Sequence, residues 1–252
     1  MPAPYRGILF DLFGTLITVD AGRLPVLTLD DARVRTTVGG LGPLLQEWVP
    51  GVTLAEFARA LHAVSHELAQ QRVLDHVELP SRERFRRALA RVGCASLEAA
   101  VQLSRAHMRH IVDATVLPDA HAALLERARD RRRVALVSNF DDTGAAYDIL
   151  ARHGILAAFD SVVVSESLGL RKPHPAVVRA ALVELDVPPE AALFVGDTFD
   201  EDVAGAHAAG VDALWIDSHG HGVPVGARSP RHVVSALTAL EDVLASGVER
   251  GA

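Results

Sequence analysis

Short runs rich in β-branched residues and leucine alternate along this chain with longer stretches whose apolar positions recur every three or four residues. The short runs GILFD (7–11), VALVS (134–138), SVVVS (161–165), ALFVGD (192–197) and ALWID (213–217) predict strands. Helical spacing occupies the intervals near 119–130, 142–153, 174–186 and 200–209, with a last helix near 233–245. Gly154 and Gly210 stand where helix-terminating glycines belong. Strands and helices in alternation imply an α/β fold with a parallel sheet.

Residues 19 to 115 break that alternation. TLAEFARALHAVSHELAQQRVL (53–74), SRERFRRALARVG (81–93) and SLEAAVQLSRAHMRHIV (96–112) carry the three- and four-residue spacing of amphipathic helices. Ser81 is a candidate N-cap, and Thr53 with Glu56 has capping-box spacing. Strand-like runs on both sides of Asp30-Asp31, within 24–38, suggest a small hairpin. A mainly helical module (19–115) is thus expected after the first strand, the remainder (1–18 and 116–252) forming the sheet-bearing domain.

Composition narrows the function classes. With 252 residues, 49% of them hydrophobic and 23% charged, the chain can bury a large core. Its net charge of −7, with Arg131-Arg132-Arg133 the single tight basic run, argues against a nucleic-acid partner. No apolar stretch reaches the ~18 residues of a membrane span, and the start MPAPYR lacks signal-peptide organisation. A cytoplasmic protein, monomer or homodimer, with a small-molecule partner and no membrane partner, is expected. The single cysteine, Cys94, excludes an internal disulfide and reads as a small apolar packing residue.

The strand ends carry the chemistry. ILF ends in Asp11, ALV in Ser138 and Asn139, LFV in Gly196 and Asp197, and the loop GLRKPHP adds Lys172. In a parallel sheet these ends share one edge, where ligands bind. Each residue alone is ordinary as a helix cap or surface group. Two carboxylates brought together, however, repel unless a proton or cation separates them, and Mg²⁺ favours such oxygen ligands. With a lysine and a hydroxyl added, the set suits a phosphate held by Mg²⁺.

The segments FDLFGT, LVSNF, RKPHP and VGDTFDEDVAGAHAAG, in that order, resemble the haloacid dehalogenase superfamily of aspartate-nucleophile hydrolases. The resemblance implies a Rossmann-like, doubly wound α/β core with an inserted α-helical cap. It implies a catalytic set of Asp11, Ser138, Asn139 and Lys172. Asp11 would form a covalent aspartyl intermediate, while Ser138 and Lys172 bind the transferring group. It also implies Mg²⁺ held by Asp11, Asp197 and the Phe13 carbonyl, with Asp202 orienting the metal's waters or serving as a first-turn acid.

Phosphatases of this family usually carry a second aspartate two residues after the nucleophile, as general acid; here that position is Phe13. Dehalogenases have an aromatic residue there, because a halide leaves without a proton, but they lack the metal site to which Asp197 belongs. The sequence therefore reads as a Mg²⁺-dependent phosphatase-type hydrolase of a small phosphorylated metabolite. The alternatives are a 2-haloacid dehalogenase-like hydrolase, with Arg23, Arg33 or Arg35 for the substrate carboxylate, and a weakly active or non-catalytic binding member. A phosphatase without the second aspartate needs another proton source, such as Asp141, Asp142, Asp200 or a cap histidine, or a substrate with a good leaving group such as an acyl or enol phosphate.

Other features carry weaker signals. His62 with His66 and His107 with His110 have metal-binding spacing, yet without a third ligand they read as solvated helix faces. His174 reads as part of a loop-shaping segment beside the active edge, Trp48 and Trp215 as packing residues, and 219–230 as a mobile loop before the terminal helix.

Overall fold

The computed structural model describes residues 5–29 and 32–246. The chain divides into two compact units: Met1–Thr18, Leu117–Phe140 and Leu150–Ala252 form one, and Val19–Val116 with Asp141–Ile149 the other.

The first unit is built on a six-stranded sheet. Its order is His232–Val234, Asp212–Ile216, Ala192–Gly196, Gly7–Phe10, Arg133–Ser138, Ser161–Val164, and every pairing is parallel. Gly7–Phe10 is buried along its whole length, as a central parallel strand must be when helices cover both faces. It pairs with Arg133–Ser138 on one side and Ala192–Gly196 on the other. Chain order reverses there, and such switch points open a crevice at the strands' carboxyl ends. One side of the sheet packs Leu9, Val137 and Phe194 against Val178 and Leu182 of the Pro175–Leu185 helix and Ala206 of the Ala204–Ala209 helix.

Two elements differ from expectation. The stretch 233–245 is not one helix: His232–Val234 forms the sheet's edge strand, and the helix begins only at Leu240. Three residues are too few for a period of two to show in sequence. The interval 200–209 opens with a π-turn, Phe199–Val203, ahead of the α-helix. Gly210 ends that helix in the left-handed conformation, at φ +83°. The loop 219–230 is largely exposed, and the Asp217 carboxylate anchors it by accepting the His221 and Gly222 N–H groups.

In the second unit the helices Gly42–Trp48, Leu54–Asp75, Ser81–Arg91 and Leu97–Ala114 enclose a core around Leu45, Phe57, Leu61, Phe85, Leu89 and Leu103. Trp48 and Cys94, both half-buried, pack against it. The Thr53–Glu56 capping box is present. Val26–Leu29 and Ala32–Arg35 pair antiparallel as the hairpin reading expected, while Asp30 and Asp31 lie outside the described residues.

Ser81 is not the N-cap; Pro80 is, and Ser81 turns its hydroxyl inward to Ser104 Oγ (2.6 Å) and Asp142 Oδ2 (3.2 Å). His62 and His66 are exposed, but His107 is buried rather than on a solvated face. It shares a stripe with Ala100, Leu103 and Ser104, at the spacing that defines a helix's core side.

Candidate active site

Asp11 leaves the end of the central strand with its N–H donating to Val195 O at 2.9 Å, so the backbone ladder fixes its position. The loop then closes on itself, Gly14 N–H donating to Ile17 O (2.8 Å) and Ile17 N–H to Leu12 O (2.9 Å). Gly14 has φ +83°, and a Cβ there would lie 2.2 Å from Asp197 Oδ2. Glycine is required at this point both for the backbone and for the approach of Asp197. A Cβ on Gly196 would likewise lie 2.3 Å from Asp202 Oδ2.

Lys172 lies at the centre of the cluster, 1% exposed. Its ammonium donates to Asp11 Oδ1 (2.6 Å), Asp202 Oδ1 (2.7 Å) and the Val137 carbonyl (2.8 Å), which uses all three of its hydrogens. The Phe194 ring lies 5.2 Å away. Asn139 clamps the lysine's backbone: Lys172 N–H donates to Asn139 Oδ1 (2.7 Å), and Asn139 Nδ2 donates to Lys172 O (3.0 Å) and Glu201 Oε2 (2.8 Å). Glu201 is held in turn by Arg171 at 2.9 Å.

Burial alone would lower the lysine's pKa, but Asp11 and Asp202 more than offset this and hold it above its ordinary range. Asp11 moves the other way for a carboxylate: burial pushes it up to about 7, opposed by Lys172 and reinforced by Asp202 and Asp197. Asp197 is raised as well, by burial and by the Asp202 charge. Three carboxylates stand around one ammonium, so their mutual repulsion adds to the burial that chiefly raises Asp11 and Asp197.

Asp11, Asp197 and Asp202 each offer an oxygen, and these atoms lie within 4.8 Å of one another. Asp202 accepts the Thr198 N–H (2.9 Å) in addition to Lys172. The Asp197 backbone is fixed by Trp215, whose Nε1–H donates to Asp197 O at 2.9 Å. Hard oxygen donors with surplus negative charge fit Mg²⁺. Among the described residues, the hydroxyls of Ser138 and Thr15 are buried without hydrogen-bond partners. Buried polar groups are normally paired, so these two hydroxyls are left with the capacity to donate to a ligand's oxygens.

The sequence-level site residues thus fall into two groups. Asp11, Ser138, Asn139, Lys172, Asp197 and Asp202 all belong to the first unit's carboxyl edge, with Phe13 in the adjoining loop. Phe13 presents no titratable group; its half-buried ring meets Phe140 edge-on, centroids 5.0 Å apart.

Of the suggested substitute acids, two are engaged with other groups and the third is exposed. Asp141 pairs with Arg84 (3.0 Å), Asp142 caps a helix by accepting the Ala145 N–H (2.9 Å), and Asp200 is exposed. His174 Nδ1 accepts the Ala176 N–H (3.2 Å) as a helix N-cap. Arg23 pairs with Asp20 (3.2 Å), Arg35 donates to Leu24 O (2.9 Å), and Arg33 is exposed. The sequence reading missed Thr15, Glu201 and the anchoring role of Trp215. Thr15 is visible in sequence as the last letter of FDLFGT, whereas the other two depend on tertiary placement.

Comparison with known proteins identifies the family. A family model described as haloacid dehalogenase-like hydrolase matches residues 5–210. The phosphoserine phosphatase of Thermus thermophilus is 38% identical over 139 residues, 55% of this chain and 55% of that protein. A phosphoglycolate phosphatase of Cereibacter sphaeroides is 36% identical over 131 residues, 52% of this chain and 58% of that protein. The chain thus spans about half the length of the curated relatives it matches. A 2-haloacid dehalogenase from Pseudomonas syringae has the same fold, with a TM-score of 0.66 at 22% identity over 96% of this chain and 99% of that one. With a family model spanning most of its length, the chain belongs to the haloacid dehalogenase-like hydrolases.

Proposed function

We propose that this protein is a Mg²⁺-dependent, phosphatase-type hydrolase that acts on a small phosphorylated metabolite through a covalent intermediate on Asp11. The observation that carries the reading is the trio Asp11, Asp197 and Asp202, whose ligand oxygens lie within 4.8 Å of one another, supported by the buried hydroxyls of Ser138 and Thr15, which have no partner among the described residues. Asp11, Asp197 and the Phe13 carbonyl would hold the metal, with Asp202 steadying the cluster through Lys172 and orienting the metal's waters. Bound there, Mg²⁺ supplies positive charge against the transferring phosphoryl group. Residues 19–115 would form the cap domain of a cytoplasmic enzyme. No helix among the described residues is long and apolar enough to cross a membrane.

An Asp11 carboxylate oxygen attacks phosphorus as the bond to the leaving oxygen breaks, its electron pair departing with that oxygen. Water then attacks phosphorus, the bond to Asp11 breaks, and the carboxylate is restored while the water's proton passes to solvent. Ser138 and Thr15 donate to phosphoryl oxygens, stabilising their charge in the transition state. Lys172 keeps Asp11 positioned and limits its charge repulsion with Asp202.

Phe13 dictates the substrate class. With no acid at that position, the leaving oxygen must depart as a stable anion, as from an acyl or enol phosphate. Phe13 also favours a second reading, dehalogenation of a 2-haloacid, since halide needs no proton. Against it stand Asp197 and Asp202, whose charges would repel an incoming carboxylate.

Assays of acyl, enol and alkyl phosphates and of 2-haloacids, with Mg²⁺ and with EDTA, separate these readings. Mg²⁺-dependent hydrolysis of the acyl or enol phosphates is expected, and metal-independent halide release would overturn the choice. A Phe13→Asp variant restores an acid of the kind that contributes ~10²- to 10⁴-fold in rate. Alkyl phosphate turnover should rise accordingly, and a folded variant with no gain would show that another group already donates the proton.

A further inference from the structure

The Phe199–Val203 π-turn sends two neighbouring acids to opposite ends of Lys172. Asp202 accepts from the ammonium at 2.7 Å, while Glu201 reaches the Asn139 side chain that brackets the lysine's backbone. Wide turns of this kind are frequent at functional sites.

Asn139 serves its three partners in one orientation only. Its Oδ1 accepts the Lys172 N–H, and its Nδ2 donates to Lys172 O and Glu201 Oε2. Turning the amide over would set acceptor against acceptor and donor against donor at these contacts. Glu201 divides its oxygens in the same way: Oε2 accepts from Asn139 at 2.8 Å and Oε1 from Arg171 Nη2 at 2.9 Å. Arg171 is joined to Lys172 by a peptide bond, so Lys172, Asn139, Glu201 and Arg171 form a closed ring. With 17% and 34% of their side chains exposed, Arg171 and Glu201 make an ion pair of a kind that contributes little to stability. Its consequence lies in where it puts the carboxylate oxygens.

We infer that Glu201 is a positioning residue for Lys172: with one oxygen held by Arg171, it presents the other to Asn139 and keeps that amide in the orientation that fixes the lysine's backbone. Two donors converge on residue 201, so the position needs two acceptors, which a carboxylate has and a primary amide lacks. The kinetic consequence rests on the reaction proposed above; the geometry does not.

The test uses the full chain. Wild type, Glu201→Gln and Glu201→Gln/Arg171→Met are compared by NMR of the Asn139 side-chain amide and by acetyl phosphate turnover with Mg²⁺. In the wild type both Nδ2 hydrogens are bonded, and both should resonate downfield and exchange slowly with solvent. Glutamine has one oxygen for two donors, and the charged Arg171 takes it. One Asn139 amide proton should then move upfield, and kcat should fall ~10- to 100-fold with little change in KM, the scale of a misplaced active-site group. Removing Arg171 releases the glutamine oxygen to Asn139, so the double variant should regain the downfield signal and part of kcat. A merely structural ion pair predicts no such recovery, because the double variant lacks both charges.

An Asn139 amide proton that exchanges freely in the wild type would overturn the inference even if neither variant folded. So would an unmoved amide signal in Glu201→Gln, or a double variant no better than the single one. If the wild type turns over no acetyl phosphate, the proposed reaction fails on that substrate, and the amide signals still decide the role of Glu201.

Discussion

Replacing Lys172 with methionine removes the one cation from a buried cluster while nearly preserving volume. The ammonium makes three contacts of 2.6–2.8 Å, two to carboxylates that are 7% and 2% exposed. Removing one member of a buried ion pair typically costs ~3–5 kcal/mol, because the remaining charge is left without compensation. That is a large part of a native stability of ~5–15 kcal/mol.

With a urea slope of ~2–3 kcal/mol per molar, a loss of ~4 kcal/mol lowers the unfolding midpoint by about 1.3–2 M. The deficit should also grow with pH. Asp11 is raised to about 7 even beside Lys172, and without the lysine it rises further. A carboxylate whose folded pKa exceeds its unfolded value retains a proton that the unfolded chain has released, so stability falls as pH climbs between the two. Lys172→Met should therefore lose more at pH 8 than at pH 5, and a second change, Asp202→Asn, should recover part of the loss.

Urea unfolding in EDTA, followed through Trp215 in a Trp48→Phe background, reads the first unit alone. Equal midpoints for Lys172→Met and the parent at pH 8 would refute the cluster's energetic role.

Two further outcomes are expected. His107, with a folded pKa of about 3 against 6.5, stays neutral while the unfolded chain gains a proton, so its contribution is complete above pH 6.5 and is lost as pH falls. Between pH 6.5 and 5 this amounts to ~2 kcal/mol, at ~1.4 kcal/mol per pH unit. His107→Phe should abolish that slope in urea unfolding reported by Trp48, and an unchanged slope would contradict the assignment. Asn139→Ala removes three hydrogen bonds around Lys172, worth about 3 kcal/mol at ~1 kcal/mol each. It should lower kcat more than it raises KM, whereas a pure KM effect would show that Asn139 contacts substrate instead of positioning the lysine.

Much of this architecture was legible because burial imposes a pattern. The central strands are apolar on both faces and short, so ILF, ALV and LFV stand out, and their polar final residues mark the ligand-binding edge. Thr53 and Glu56 were legible because a capping box is local. His232–Val234 was not, since an edge strand of three residues has no resolvable period.

Ser81 misled for the opposite reason: serine ahead of a helix usually caps it, but here its hydroxyl is drawn to Ser104 by packing between helices. The burial of His107 could have been found by extending the stripe of Ala100 and Leu103 by one turn. Asn139 shows the limit at the site. Its place at a strand end was readable, but its role as a clamp on the Lys172 backbone depends on a contact 33 residues away.

Phosphorylation of Asp11 is the step on which the proposed reaction depends. Turnover of an acyl phosphate in the presence of Mg²⁺, quenched with borohydride, reduces an aspartyl phosphate to homoserine, and peptide mass spectrometry then locates it. Homoserine is expected at position 11, absent when EDTA replaces Mg²⁺ and absent in an Asp11→Asn variant. Substrate consumption with Asp11 unmodified, or with the label on another residue, would contradict it.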